Sequence, residues 1–216
     1  MMLSWALAAA VDPSPVSVLV TPPVEEPLTL EQAKARAGFD WISPDPRDAL
    51  LMDFLRAARA QVEHDTGLAL LTQTRDAWLN AFPLTATGLI RLPSQCRPLQ
   101  SVTTVGFIDA TGVAIVLPAE AYVVDLARGE IGLAPGATWP AFSTLRGVAP
   151  ITIRVVAGWP DADILAQHAP LLVQAVGLLT AHYATAGRDL ASGDGLEATP
   201  LGYAAAIAPY EQVSVF

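Results

Sequence analysis

The sequence predicts an α+β fold: a helical part, an antiparallel β block of small-sandwich or barrel-like build inserted into it, and an extended arm at each end. Three observations predict it. Apolar residues recur at helical spacing before residue 70 and again after 158. The stretch between breaks into short β-rich runs. Prolines crowd the first 27 residues, while the chain closes on alternating apolar and polar side chains.

Residues 1–27 are the N-terminal extended arm. They hold Pro13, Pro15, Pro22, Pro23 and Pro27, a density that forbids a regular helix, and the β-branched run 16–21 suits a sheet edge. The first half of the helical part spans 28–69. Thr29 with Gln32 three residues on makes a capping box, and Gly38 stops that short helix. A longer helix follows, with Asp45 as N-cap, Pro46 in the first turn and Asp48 where the helix dipole favours negative charge. Leu50, Leu51, Phe54, Leu55, Ala58 and Val62 fall on one stripe, and Gly67 ends the helix. The inserted β region spans 70–157, its runs punctuated by Gly, Pro and Asp, with "DATG" at 109–112 closing a hairpin. The second helical half spans 158–209. Asp161 or Asp163 caps it, Pro170 restarts or kinks it, and Ile164, Leu165, Leu171, Leu172, Val176, Leu179 and Tyr183 give it an apolar face. Gly187 closes the helix, a Gly-rich loop follows, and "YAAAIAPY" adds one more turn before the C-terminal arm, 210–216. An inserted block needs its two ends close together, so the helices before and after it pair.

Composition narrows the function classes. The chain has 216 residues, of which 52% are hydrophobic and only 15% charged, so a monomer carries a rather apolar surface that favours oligomerisation or burial in an assembly. Net charge is −9, Lys34 is the only lysine, and the arginines are scattered without a cluster. Tight nucleic-acid binding needs a basic patch, and none is visible. Cys96 is alone, which excludes an intramolecular disulfide and a zinc site of the usual Cys/His type, and suits a packing role. The apolar run Leu3–Val11 has no Lys or Arg before it and is too short to span a bilayer, so neither a signal peptide nor a membrane segment is expected.

The sequence offers no positive case for an enzyme. His64 lies between Glu63 and Asp65 at a helix C-terminus, where a cation is favoured structurally; His182 has no Glu at H-E-x-x-H spacing, and His168 has no nominated partner. Asp194 and Glu197 sit in the Gly-rich loop without the ligand pattern of a calcium loop, and Ser101 and Ser143 have no base. No catalytic residue, metal or cofactor is expected. The closing "APYEQVSVF" is different. It is either a C-terminal strand of the chain's own sheet or a detachable arm that adds to another chain, burying Tyr210, Val213, Val215 and Phe216, with the Gly-rich loop supplying reach.

Several stretches carry a family resemblance. "EPLTLEQAKARAGFD" and "DALLMDFLRAARAQVEHDTGLALLTQTRDAWLNAFP" resemble the opening of the small head–tail connector proteins of tailed phages, the head-completion family. "IRLPSQCRPLQSVTTVGFIDATGV", "APGATWP" and "ITIRVVAGWPD" are similar to its β block, and "PLLVQAVGLLTAHYATAGRD" with "APYEQVSVF" to its last helix and tail. The resemblance runs from about residue 20 to the end, through motifs that are structural rather than catalytic. It implies a virion structural protein, an adaptor made in the bacterial cytoplasm and built into the neck of a phage or of a phage-like particle such as a gene transfer agent. The helical part is then ring-forming, usually in twelve copies beneath the portal protein, with stopper or tail-completion components below and DNA passing through without specific binding. No membrane partner is implied. The tail reaches the portal, which makes Pro209, Tyr210, Val213, Val215 and Phe216 the docking residues. The acidic composition suits a channel that DNA must not stick to. The alternative is a tail-completion or minor tail protein that uses the same arm on another partner.

Overall fold

In a computed structural model, residues 16–83, 88–141, 145, 147–189 and 201–210 are described. The order of elements is β1 (Val16–Thr21), α1 (Leu30–Ala37), α2 (Arg47–Thr66), β2 (Gln73–Leu79), β3 (Ile90–Arg91), β4 (Leu99–Ile108), β5 (Ala114–Val116), β6 (Tyr122–Asp125), β7 (Glu130–Leu133), β8 (Ile151–Ala157), α3 (Ala162–His168), α4 (Pro170–Asp189) and α5 (Leu201–Ile207). The fold is α+β with antiparallel sheets.

Local chemistry sets the helix ends. Thr29 accepts from the Gln32 N–H while the Gln32 side chain accepts from the Thr29 N–H, the capping box expected at α1. Gly38 and Gly67 take the left-handed conformation that stops α1 and α2 at little steric cost. At α2 the capping position itself is Pro46; Asp45 acts one residue earlier, its carboxylate accepting from the Arg47 N–H. Asp161 caps α3 through the Ile164 N–H, and α3 and α4 meet at a bend of 113° just before Pro170. Gly187 does not end α4, which runs on to Asp189.

The helices build the larger of their two cores around α2, α4 and α5, the smaller one lying between α1, α2 and α4. Leu55, Ala58 and Val62 of α2 meet Leu172, Val176 and Leu179 of α4, and α5 closes the assembly with Tyr203, Ala206 and Ile207. Each fully buried leucine here contributes about 2–3 kcal/mol of transfer free energy. Leu50, at the margin of the α2 stripe, remains exposed.

The strands form two sheets. One has the order β1-β2-β8-β4-β5, the other β3-β7-β6. β8 alternates buried and less buried positions, and its Ile151, Ile153 and Val155 meet Ala77, Val105 and Phe107 from the same sheet and Ile90 and Ile131 from the other. The β4–β5 hairpin turns at Asp109, whose carboxylate accepts from the Thr111 and Val113 N–H groups. The N-terminal run 16–21 is β1, paired antiparallel to β2 across the α1–α2 pair that separates them in sequence.

A buried ionic network ties helices to sheet. Arg59 of α2 binds Glu26 at 2.8 Å and Glu63 at 3.0 Å, and Glu63 accepts from the Leu70 N–H and from Gln73 of β2. Burial pushes the Glu63 carboxyl up, and the Leu70 N–H, Arg59 and Gln73 oppose that shift.

Candidate interaction surfaces

The residues that the sequence marks for docking begin at the end of α5. That helix is held by burial of Tyr203, Ala206 and Ile207 and by a hydrogen bond from the Tyr203 hydroxyl to Asp65 near the end of α2. The chain then makes a 3-10 turn over Ala208–Tyr210, with Pro209 exposed and Tyr210 half-buried against the helical core. Val213, Val215 and Phe216 lie outside the described residues, as do Asp194 and Glu197 of the Gly-rich loop.

A second surface has no counterpart in the sequence-level expectations. Phe39, Trp41, Arg47, Leu50, Phe54 and Ala184 line an apolar cleft of about 160 Å³ between the α1–α2 loop and the helices. Its geometry is fixed from beneath. The Trp41 indole N–H donates to Asp48 at 2.7 Å, Phe39 stacks obliquely on Trp41 at 4.5 Å, and the Arg47 guanidinium lies 4.2 Å over the Trp41 ring. Lys34 is buried below, bonded to Glu31 at 3.1 Å, to Asp48 at 3.3 Å and to the Ser43 hydroxyl. Burial works against the Lys34 charge, but the carboxylates of Glu31 and Asp48 outweigh it and hold its pKa up. The Arg47 guanidinium lowers the Asp45 carboxyl to about 2, and the Trp41 N–H leads in holding Asp48 well below the usual carboxylate range. The aromatic pair in "GFDW" was the available signal, yet nothing local says that the only lysine would be buried beneath it.

Catalytic geometry does not emerge among the described residues. No group of three or more His, Cys, Asp and Glu side chains is placed to hold a metal ion. His64 and His168 are exposed on different helices, and His182 lies beside Tyr183. Cys96 is buried, and burial pushes its thiol up, away from thiolate chemistry. No single described helix is long and apolar enough to cross a membrane.

Comparison with known proteins gives a consistent direction. No family model matches the chain, and no curated protein matches it. Solved structures do. A chain from the neck of an empty gene transfer agent particle, computed with sixfold symmetry, is 27% identical, with a TM-score of 0.69. A chain of the native gene transfer agent virion is 26% identical, with a TM-score of 0.67, and one from the native neck, computed with twelvefold symmetry, is 28% identical, with a TM-score of 0.65. In all three, the match covers 93% of this chain and 97% of the other. The resemblance to head–tail connectors seen in the sequence is thus borne out: over nearly its whole length, the chain is similar to neck components of a phage-like particle.

Proposed function

We propose that this chain is a head–tail adaptor, one subunit of a ring in the neck of a phage-like particle of the gene transfer agent kind. The observation that carries the proposal is the near-complete match, in both directions, to chains of gene transfer agent necks computed with sixfold and twelvefold symmetry. A ring of twelve copies fits that symmetry, and a closed ring joins unlike faces of successive copies. The portal protein lies above and the stopper or tail-completion protein below. DNA passes through the middle, kept from sticking by a chain of net charge −9.

The C-terminal segment docks on the portal. Pro209 and Tyr210 form its root on the helical core, and Val213, Val215 and Phe216 are its apolar anchors. A short segment binds weakly alone, but the copies on one ring act together through effective concentration.

The structure sets where to cut. Tyr210 packs on the chain's own core, so the test is deletion of residues 211–216, which spares that contact. The expected result is a folded subunit and particles that lack attached tails. Particles with normal tails would refute the docking role. A particle reconstruction with the chain outside the neck would refute the adaptor reading itself.

A further inference from the structure

The five-stranded sheet ends on two edge strands, β1 and β5, that carry neither charge nor proline among the described residues. Free edges in soluble proteins are ordinarily guarded by brevity, Lys, Pro, inward charges or a bulge, and here the only such guards are the shortness of β5 and one bulge in β1. β1 reads VSVLVT, with no charge and no proline, and Val16 and Val18 are 63% and 49% exposed. Its one register shift lies between Leu19 and Thr21, which leaves Val16–Leu19 in regular pairing with β2. At the far edge, all three residues of β5, Ala114, Ile115 and Val116, are exposed and uncharged. The three-stranded sheet offers a contrast within the same chain: its edge strands carry Arg91 and Asp125.

The register relates the two bare edges. Val16 pairs with Trp78, Trp78 with Thr152, Thr152 with Gly106 and Gly106 with Val116. Val16 and Val116 therefore end one transverse row and point to the same face of the sheet. Each neighbouring pair of strands is antiparallel, so β1 and β5, four steps apart, run in the same direction. A rotation that carries one copy onto the next can lay β5 beside the next copy's β1 as a parallel pair. Pairing β1 with β1 about a two-fold axis would instead be antiparallel and stop at a dimer.

We infer that the β5 edge of one copy pairs with the β1 edge of the next, so that the five-stranded sheet continues from subunit to subunit around the ring. This rests on the ring reading under Proposed function. A stagger of two residues, about 6.6 Å, lays Ala114–Val116 along Val16–Val18 and keeps apolar side chains on matching faces. Five strands at about 4.8 Å advance about 24 Å per copy, so twelve copies close a circumference of about 290 Å and a radius of about 46 Å, which leaves a wide central hole. The seam adds to any contact between the helical halves.

The test is cysteine cross-linking in assembled particles that carry Val18→Cys and Val116→Cys together. Mild oxidation should give a ladder of covalent oligomers on a non-reducing gel, collapsed by reductant. Each single variant should stay monomeric, as should the wild type with its buried Cys96. Monomers alone from particles that contain the double variant would overturn the seam and leave the ring reading standing. Dimers from Val18→Cys alone would overturn it in favour of two-fold pairing. Absence of the wild-type chain from purified necks would sink the ring reading, and the seam with it. A second variant, Val18→Lys, should keep the wild-type circular dichroism yet be depleted from necks about tenfold. Incorporation equal to wild type would also overturn the seam.

Discussion

The Tyr203 hydroxyl donates to the Asp65 carboxylate at 2.5 Å, joining α5 to the end of α2 across 138 positions of sequence. This bond fixes the root from which the proposed docking segment departs. Tyr203→Phe keeps the buried ring and removes a charge-assisted hydrogen bond. The expected cost is about 1.5–3 kcal/mol in urea denaturation, with α5 becoming more susceptible to protease than the sheets. An unchanged midpoint would show that packing of Ala206 and Ile207 alone seats α5.

Arg59 is the hub of the network between Glu26 and Glu63, and the three side chains are 10%, 10% and 12% exposed. Arg59→Met leaves Glu63 without its ion pair and Glu26 with only the more exposed Arg56, 3.9 Å away. It should destabilise the chain by about 3 kcal/mol or more. Adding Glu63→Gln should recover a measurable share, because the amide removes one buried charge while it still accepts from the Leu70 N–H.

Gly158 has φ 105°, and a Cβ there would lie 2.1 Å from the Leu71 carbonyl oxygen. Both the backbone angle and the contact oppose any side chain. Gly158→Ala should cost about 3 kcal/mol or more, or prevent soluble expression, because the obstructing atom belongs to the backbone and cannot swing away. A melting temperature close to wild type would contradict the close approach of β8's end to the start of β2.

Asp45 and Asp48 both titrate below the ordinary 3.8, Asp45 at about 2. A carboxyl whose folded pKa is depressed adds stability above its unfolded value, and that stability is lost as pH falls through the folded value. Thermal melts of the wild type should therefore fall between pH 4 and 2. The Asp45→Asn/Asp48→Asn variant should start lower and fall less over that window. An equal slope in both proteins would place the acid sensitivity elsewhere.

Legibility followed the range of the interactions. The capping box at Thr29 and Gln32, the stops at Gly38 and Gly67, the Asp109 turn and the break before Pro170 were readable because each is settled within a few residues. The partner of β1 was not, since its choice of β2 depends on contacts made across two intervening helices. Gly187 misled because a glycine costs a helix only about 1 kcal/mol, and tertiary packing of α4 can absorb that. The cleft around Trp41 stayed hidden for the same reason as the buried Lys34: an isolated lysine reads as solvated until three partners are seen around it. The proposed docking residues rest on alternation at the chain's end, and the structure adds that Tyr210 is already engaged with its own core.

Among the described residues, the chain passes between its helices and its sheets three times, through residues 22–29, 67–72 and 158–161. Two of these passages lie side by side, with Leu71 bridged to Trp159. Tension applied between the two halves is therefore shared among three covalent paths, none of them a long tether. A subunit threaded in this way resists stretching as a stiff block. In the proposed neck position it would carry load between its two halves without coming apart like beads on a string.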